Sequence, residues 1–261
     1  MFTTNPFTEL SAFISPSAMQ IYIVVMIVLV AAGTIYDVLH KKSARYFREN
    51  MRKAKASATQ KVGAGEMLSM ALKTAVVDVA ASGEFCNARR RIAHLLTMYG
   101  FVAFAVTTAI MVFQYATPAT STPAILPPLW HIGALMVCVG GYWFWFFIRV
   151  DVAAEGSSPF RLMRADLFIL SLLASATFAL LWSFLQVAGN AWANVFFGLH
   201  VIATTVLFGS VPWSKFAHMF FKPAAAFEKR VSAANGSRSN LPAPADKPET
   251  FGSPVEQPRH Y

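Results

Sequence analysis

Apolar positions along this chain neither alternate nor spread at helical spacing; they gather into five continuous runs, 17–39, 92–115, 129–149, 166–188 and 194–216. At 1.5 Å per residue, a run of about 20 residues matches a hydrocarbon layer of about 30 Å. Hydrophobicity without a period of two excludes a β-barrel, and helices are then the structure that satisfies every backbone group in lipid. The expected fold is all-α: a polytopic membrane protein with five transmembrane helices in a bundle. Residues 1–16 form its external N-terminus.

Polar positions orient the bundle. Of the 22 Lys and Arg residues, 12 fall between Lys41 and Arg91, 3 between Arg149 and Arg164, and 7 between Lys215 and Arg259. The segments before 17, between Ala116 and Pro128, and between Gly189 and Ala193 contain none. The positive-inside rule therefore places the N-terminus outside and the C-terminus in the cytoplasm. The net charge of +9 follows from topology, which makes nucleic acid a poor partner. Composition agrees, with 56% hydrophobic and 13% charged residues against about a quarter charged in soluble domains. The first run lacks a basic segment before it and reads as a retained span.

Residues 40–91 form a basic cytoplasmic loop. Within it, 66–82 places Leu68, Leu72, Ala75, Val76 and Val79 on one helical stripe interrupted by Lys73 and Asp78. This predicts a helix lying in the membrane interface. Residues 217–261 form a cytoplasmic tail, expected to be disordered from 232, where Pro, Ser, Asn and Lys dominate.

Two cysteines, Cys86 and Cys138, supply neither the four thiolates of an iron–sulfur cluster nor a CxxC pair. Metalloprotease, phosphate-loop and nucleophile motifs are absent. Clustered central acids and Gly-broken half-helices, the marks of an ion-coupled transporter, are absent too. Six histidines remain, and five lie in or at the ends of spans: His40, His94, His131, His200 and His218. Ionisable side chains in membrane spans are costly, and imidazole is the usual axial ligand of b-type haem. By depth, His131 pairs with His200 near the outer face and His94 with His218 near the inner face. His200 and His218, 18 residues apart, share a helical face if the last span is continuous, with Pro212 expected to kink it. Each also has a plainer reading: His40 beside Lys41 and Lys42 as an interfacial residue, His131 beside Trp130 as part of an aromatic belt, and His218 as a helix-end hydrogen bonder. Arg89, Arg90 and Arg91 read as interfacial anchors. One of them, Arg91, together with Lys215 also suits haem propionates. Gln114, Tyr142, Gln186, Asn190 and Asn194 lie where a quinone headgroup could be met, though each equally suits ordinary interfacial hydrogen bonding.

The segment HVIATTVLFGSVPWSKFAHMFFKP (200–223) resembles the last membrane helix of the nitrate reductase gamma subunit and of the dihaem membrane subunits of heterodisulfide reductase. The shared pattern is a His followed 18 residues later by a second His, the latter within Pro212, Ser214, Lys215 and His218. With GEFCNARRRIAHLLTMYGF (83–101) and FWFFIRVDVAAEG (144–156), the chain is most similar to the membrane anchor associated with adenylylsulfate reductase. The resemblance implies haem b, quinone as substrate, and a cytoplasmic iron–sulfur/flavin partner, adenylylsulfate reductase. It also implies residence in the cytoplasmic membrane. His94 carries over as the inner ligand. The outer ligand does not, because Phe104 stands ten residues after His94. His131 is its substitute by depth, giving two haems; without it the count is one or none. The alternative function is a haem-free structural anchor for the same reductase. The basic inner segments Lys41 to Lys61, Arg89 to Arg91, Arg161 and Arg164 would speed and orient partner docking.

Overall fold

The computed structural model describes residues 2–40, 43–83, 85, 87–149, 160, 162–163, 166–213 and 218–237. Helices α1 (Pro6–Leu10), α2 (Pro16–His40) and α3 (Ser43–Ala56) come first. Helix α4 (Ala64–Lys73) runs on as a π-helical segment, Thr74–Ala80; α5 (Ala88–Gln114) follows, and α6 (Leu126–Trp143) also ends in a π-helical turn, Phe144–Ile148. Helices α7 (Leu167–Val187), α8 (Trp192–Gly209) and α9 (His218–Ala234) complete the chain. Five of these, α2, α5, α6 with its π-helical turn, α7 and α8, are long and apolar enough to cross a membrane. The chain is thus an all-α, multi-pass membrane protein, with no strand among the described residues.

Two compact units divide it: Met1–Asp37 with Ile92–Ala217, and Val38–Arg91 with His218–Tyr261. In the first, α2 buries only Met19, Met26, Gly33 and Asp37 among 25 residues. Its Ile21, Ile27 and Val28 stay exposed. So wide an apolar surface is unstable in water and natural against acyl chains, where burial gives no further gain. Helices α5 and α6 therefore meet through small residues. A Cβ on Gly133 would stand 2.7 Å from the Phe104 backbone nitrogen, and one on Gly140 would stand 2.6 Å from the Ala93 carbonyl oxygen. Helices α7 and α8 form an antiparallel hairpin. Gly189, at φ +64°, closes α7 as its nitrogen bonds Gln186 O and Asn190 N bonds Leu185 O. The Asn190 side chain then accepts from Trp192 N at 3.0 Å to start α8.

In the second unit, Met70, Thr74 and Asp78 recur every four residues on the side of α4 and its π-helical extension that is least exposed. There Asp78 takes a two-nitrogen grip from Arg230 of α9, with distances of 2.7 to 2.9 Å. A helix expected over 66–82 is found at 64–80. Helices α3 and α9 are additions to the expected elements: α9 extends to Ala234, three residues into the tail expected to lack structure, and residues 238–261 lie outside the described ones.

The last span needs correction. It was carried to 216 with a kink at Pro212, but α8 stops at Gly209 and the chain turns, Trp213 N bonding Ser210 O at 2.9 Å. Proline has no N–H to donate and disfavours helix in the residue before it, so Val211–Pro212 ends the helix instead of bending it. The shared helical face inferred for His200 and His218 does not extend across this break.

Candidate functional site

Within the first unit, the end assigned to the outside by charge is closed by the chain's own start. Pro6 opens α1, and Asn5 caps it by accepting from Phe7 N at 3.0 Å. The Asn5 amide also donates to Tyr115 O at 2.8 Å, and Gln186 Nε2 donates to Pro6 O at 3.0 Å. These bonds hold Phe7 against the edges of Trp130 and Trp182, at 5.9 and 5.4 Å between ring centroids. Both tryptophans are fully buried, and the Trp130 indole N–H donates to Thr108 Oγ1 at 2.8 Å.

His131 lies beside this cluster, fully buried. Its Nδ1 meets Pro127 O at 2.7 Å and its Nε2 meets Ser183 Oγ at 2.8 Å. A carbonyl can only accept, so Nδ1 carries the proton and Nε2 accepts from the serine hydroxyl. His200 is held two turns further along α7. Its Nδ1 donates to Ser175 O at 2.9 Å, while Ser175 Oγ bonds Thr204 Oγ1 at 2.7 Å. Trp182 stacks on the His200 ring at 6.1 Å, and Phe104 meets its edge at 6.2 Å.

The structure therefore brings His131 and His200 to one neighbourhood without bringing them face to face. Trp130 touches His131, Trp182 touches His200, and the two indoles touch each other at 6.1 Å. A haem slung between the two imidazoles does not fit this packing: the space is occupied by two indoles, and the Nε2 lone pair of His131 is already bonded. Phe104, which replaces the second-helix ligand of the resembled family, fills its part of the gap.

The inner candidates fall in both units or outside the described residues. His94 is half-buried in the second turn of α5, and His40 is exposed at the last residue of α2. Arg91 donates from Nε to Ala81 O at 2.8 Å. His94 and Arg91 belong to different units. Lys215 lies outside the described residues, as do the side chain of His218 and all of His260.

Three of the five residues considered for quinone contact do converge. Gln186, Asn190 and Asn194 line an outer cavity of about 310 Å³ with Glu9, Ala12 and Phe13 of the chain's start. Gln186 lies three residues beyond Ser183, one helical turn from the His131 bond. Tyr142 instead bonds Thr177 Oγ1 at 2.9 Å, and Gln114 is exposed at the end of α5. Glu9 was missed by sequence reasoning, although it is the only acidic residue in the three segments that charge assigns to the outside.

No protein-family model matches the chain, and no solved structure matches it. It is 26% identical over 168 residues, 62% of its length, to "Citrate utilization protein B" of Escherichia coli. It spans about two fifths of that relative, 42% of its length.

Proposed function

We propose that this protein is the haem b membrane subunit of a quinone-linked oxidoreductase. In this reading it carries electrons between the quinone pool and a cytoplasmic iron–sulfur/flavin enzyme of sulfur metabolism, by resemblance adenylylsulfate reductase, across the cytoplasmic membrane. The observation that supports it is the cavity lined by Gln186, Asn190, Asn194 and Glu9, in which Gln186 lies one helical turn beyond Ser183, the hydroxyl partner of the buried His131. Carboxamide N–H groups of Asn190 and Asn194 can donate to the two carbonyl oxygens of a quinone ring, and Phe13 offers it an apolar wall. Glu9 can exchange a proton between a bound ring hydroxyl and outside water. His131, with its tautomer set by Pro127 O and Ser183 Oγ, stands apart from the cavity lining, and its bond to Ser183 ties α6 to α7.

The packing around Trp130 and Trp182 favours one haem over two. The signature shared with the resembled family gives His94 and His218 as its ligands, with Arg91 and Lys215 as carboxylate partners at the inner interface. When bound, a b-type haem takes up and gives back single electrons. A second reading, a haem-free structural anchor, is favoured by the same aromatic packing. The E. coli relative's name makes an enzyme of citrate utilization the competing soluble partner.

A reduced-minus-oxidised spectrum of the purified chain separates the readings. The electron-transfer reading expects a b-type band from one haem per chain, lost in His94→Ala and His218→Ala. Absence of any band from protein made in haem-replete cells establishes the anchor. Co-purification with adenylylsulfate reductase against citrate-utilization enzymes then decides the partner.

A further inference from the structure

We propose that the second unit is an anionic-phospholipid-binding surface on the inner leaflet. Helix α4 and its π-helical extension turn Met70, Thr74 and Asp78 away from solvent. They leave Leu68, Leu72 and Val76 exposed at 63, 59 and 63%. Nothing among the described residues of the unit covers this stripe, and it is too apolar to be left in water at four-residue intervals.

Chain continuity names its occupant. The π-helical segment ends at Ala80, and the next carbonyl, Ala81 O, accepts from Arg91 Nε at 2.8 Å. Arg91 lies in the first turn of α5, a membrane-spanning helix whose start is capped by Asn87, its Oδ1 accepting from Arg89 N at 2.9 Å. The end of the stripe is therefore tied to the headgroup level of a span by a hydrogen bond ten residues apart in sequence. Val76 lies five residues back, about 7 Å along the helix. An apolar stripe pinned at that depth enters the acyl boundary of the leaflet.

The charge agrees. Helix α3 begins at Ser43, three residues after the membrane-spanning α2 ends at His40. It exposes Arg45, Arg48, Arg52 and Lys55 while half-burying Phe47, Met51 and Ala54. Only Glu49 opposes this row, bonded to Arg45 at 3.0 Å. A basic row starting three residues after one span and an apolar stripe whose helix ends eight residues before the next, in one unit, form the pairing by which amphipathic segments hold anionic lipid. A soluble protein partner would explain the row but not the stripe.

The test uses the full chain in nanodiscs of phosphatidylcholine alone or with one quarter phosphatidylglycerol. A nitroxide on Leu72→Cys, with Cys86 and Cys138 changed to Ser, should be relaxed more by oxygen than by an aqueous nickel chelate in the mixed bilayer. The same label on Glu66→Cys should show the reverse order. The lipid co-purifying with the chain should be enriched in phosphatidylglycerol over the supplied ratio. It should return towards that ratio when Arg45, Arg48, Arg52 and Lys55 are all changed to Gln, since each basic residue at an anionic surface is worth about a fivefold preference. A Leu72 label more accessible to the nickel chelate than to oxygen overturns the proposal. A lipid ratio unchanged by the four substitutions, with loss of a co-purifying soluble protein, also overturns it and assigns the row to protein docking.

Discussion

Arg149 and Asp166 are joined side-on: Arg149 Nε donates to Asp166 Oδ1 at 2.9 Å, and a second guanidinium nitrogen meets Oδ2. The pair links the end of α6 to the start of α7, with side chains only 11 and 9% exposed. The Asp166 carboxylate also accepts from Met163 N at 2.8 Å, and the guanidinium lies 4.1 Å above the Trp145 ring. The charges are thus hydrogen-bonded on both sides, a condition under which a pair withdrawn from water is tolerated.

Removing one partner should be costly. Asp166→Ala takes one counter-charge from a nearly buried guanidinium and should destabilise the bundle by about 3 kcal/mol. The apolar double change Arg149→Met with Asp166→Leu should recover much of that loss. Thermal unfolding in detergent, followed by circular dichroism, checks both; equal loss in the single and double variants would contradict this account of the pair.

Substituting the histidines should separate structure from cofactor binding. His131→Ala and His200→Ala break bonds to Pro127, Ser183 and Ser175 and should lower the unfolding temperature while leaving the haem-to-protein ratio unchanged. Haem lost in His200→Ala but retained in His94→Ala would reverse the assignment to the inner pair.

The α5–α6 contact leaves no room for a side chain at Gly133. A Cβ there falls within 3 Å of two backbone atoms, Phe104 N and Gly100 O, which cannot move without shifting a helix. Gly133→Ala should cost about 1 to 3 kcal/mol by overpacking, more than Gly198→Ala, whose Cβ meets nothing within 4 Å. Comparing the two unfolding temperatures checks the contact.

Phe7 should matter as much as a core residue. It is 5% exposed among Trp130 and Trp182, and truncation to Ala should cost about 3 to 5 kcal/mol. The same change loosens α1, which carries Glu9 to the cavity, so binding of a fluorescent quinone analogue should weaken in Phe7→Ala. Weakening in Glu9→Gln with unchanged unfolding would localise the ring to the cavity itself, and unchanged binding in both variants would remove the cavity from the quinone reading.

Five helices and an exposed apolar stripe were legible in the sequence because both rest on local quantities. A run such as 166–188 is long and apolar in itself, and Leu68, Leu72 and Val76 fall on one face by period alone; α7, and α4 taken with its π-helical extension, appear within about two residues of their expected ends. Where each histidine falls along its apolar run was legible for the same reason, since rise along a helix is counted in residues. Equal depth for His131 and His200 was not, because their partners Ser183 and Ser175 lie eight residues apart on α7, about 12 Å of rise, and which histidines face one another depends further on rotation about each helix. That rotation is set where α5, α6, α7 and α8 pack, and Trp130 and Trp182 occupy the interior between His131 and His200. The end of α8 depended on Pro212, whose presence announced a disruption while leaving open a bend or a stop. Glu9 and Gln186 stand 177 positions apart in the chain, and only the fold of the first unit, with Pro6 O held by Gln186, brings them to one cavity.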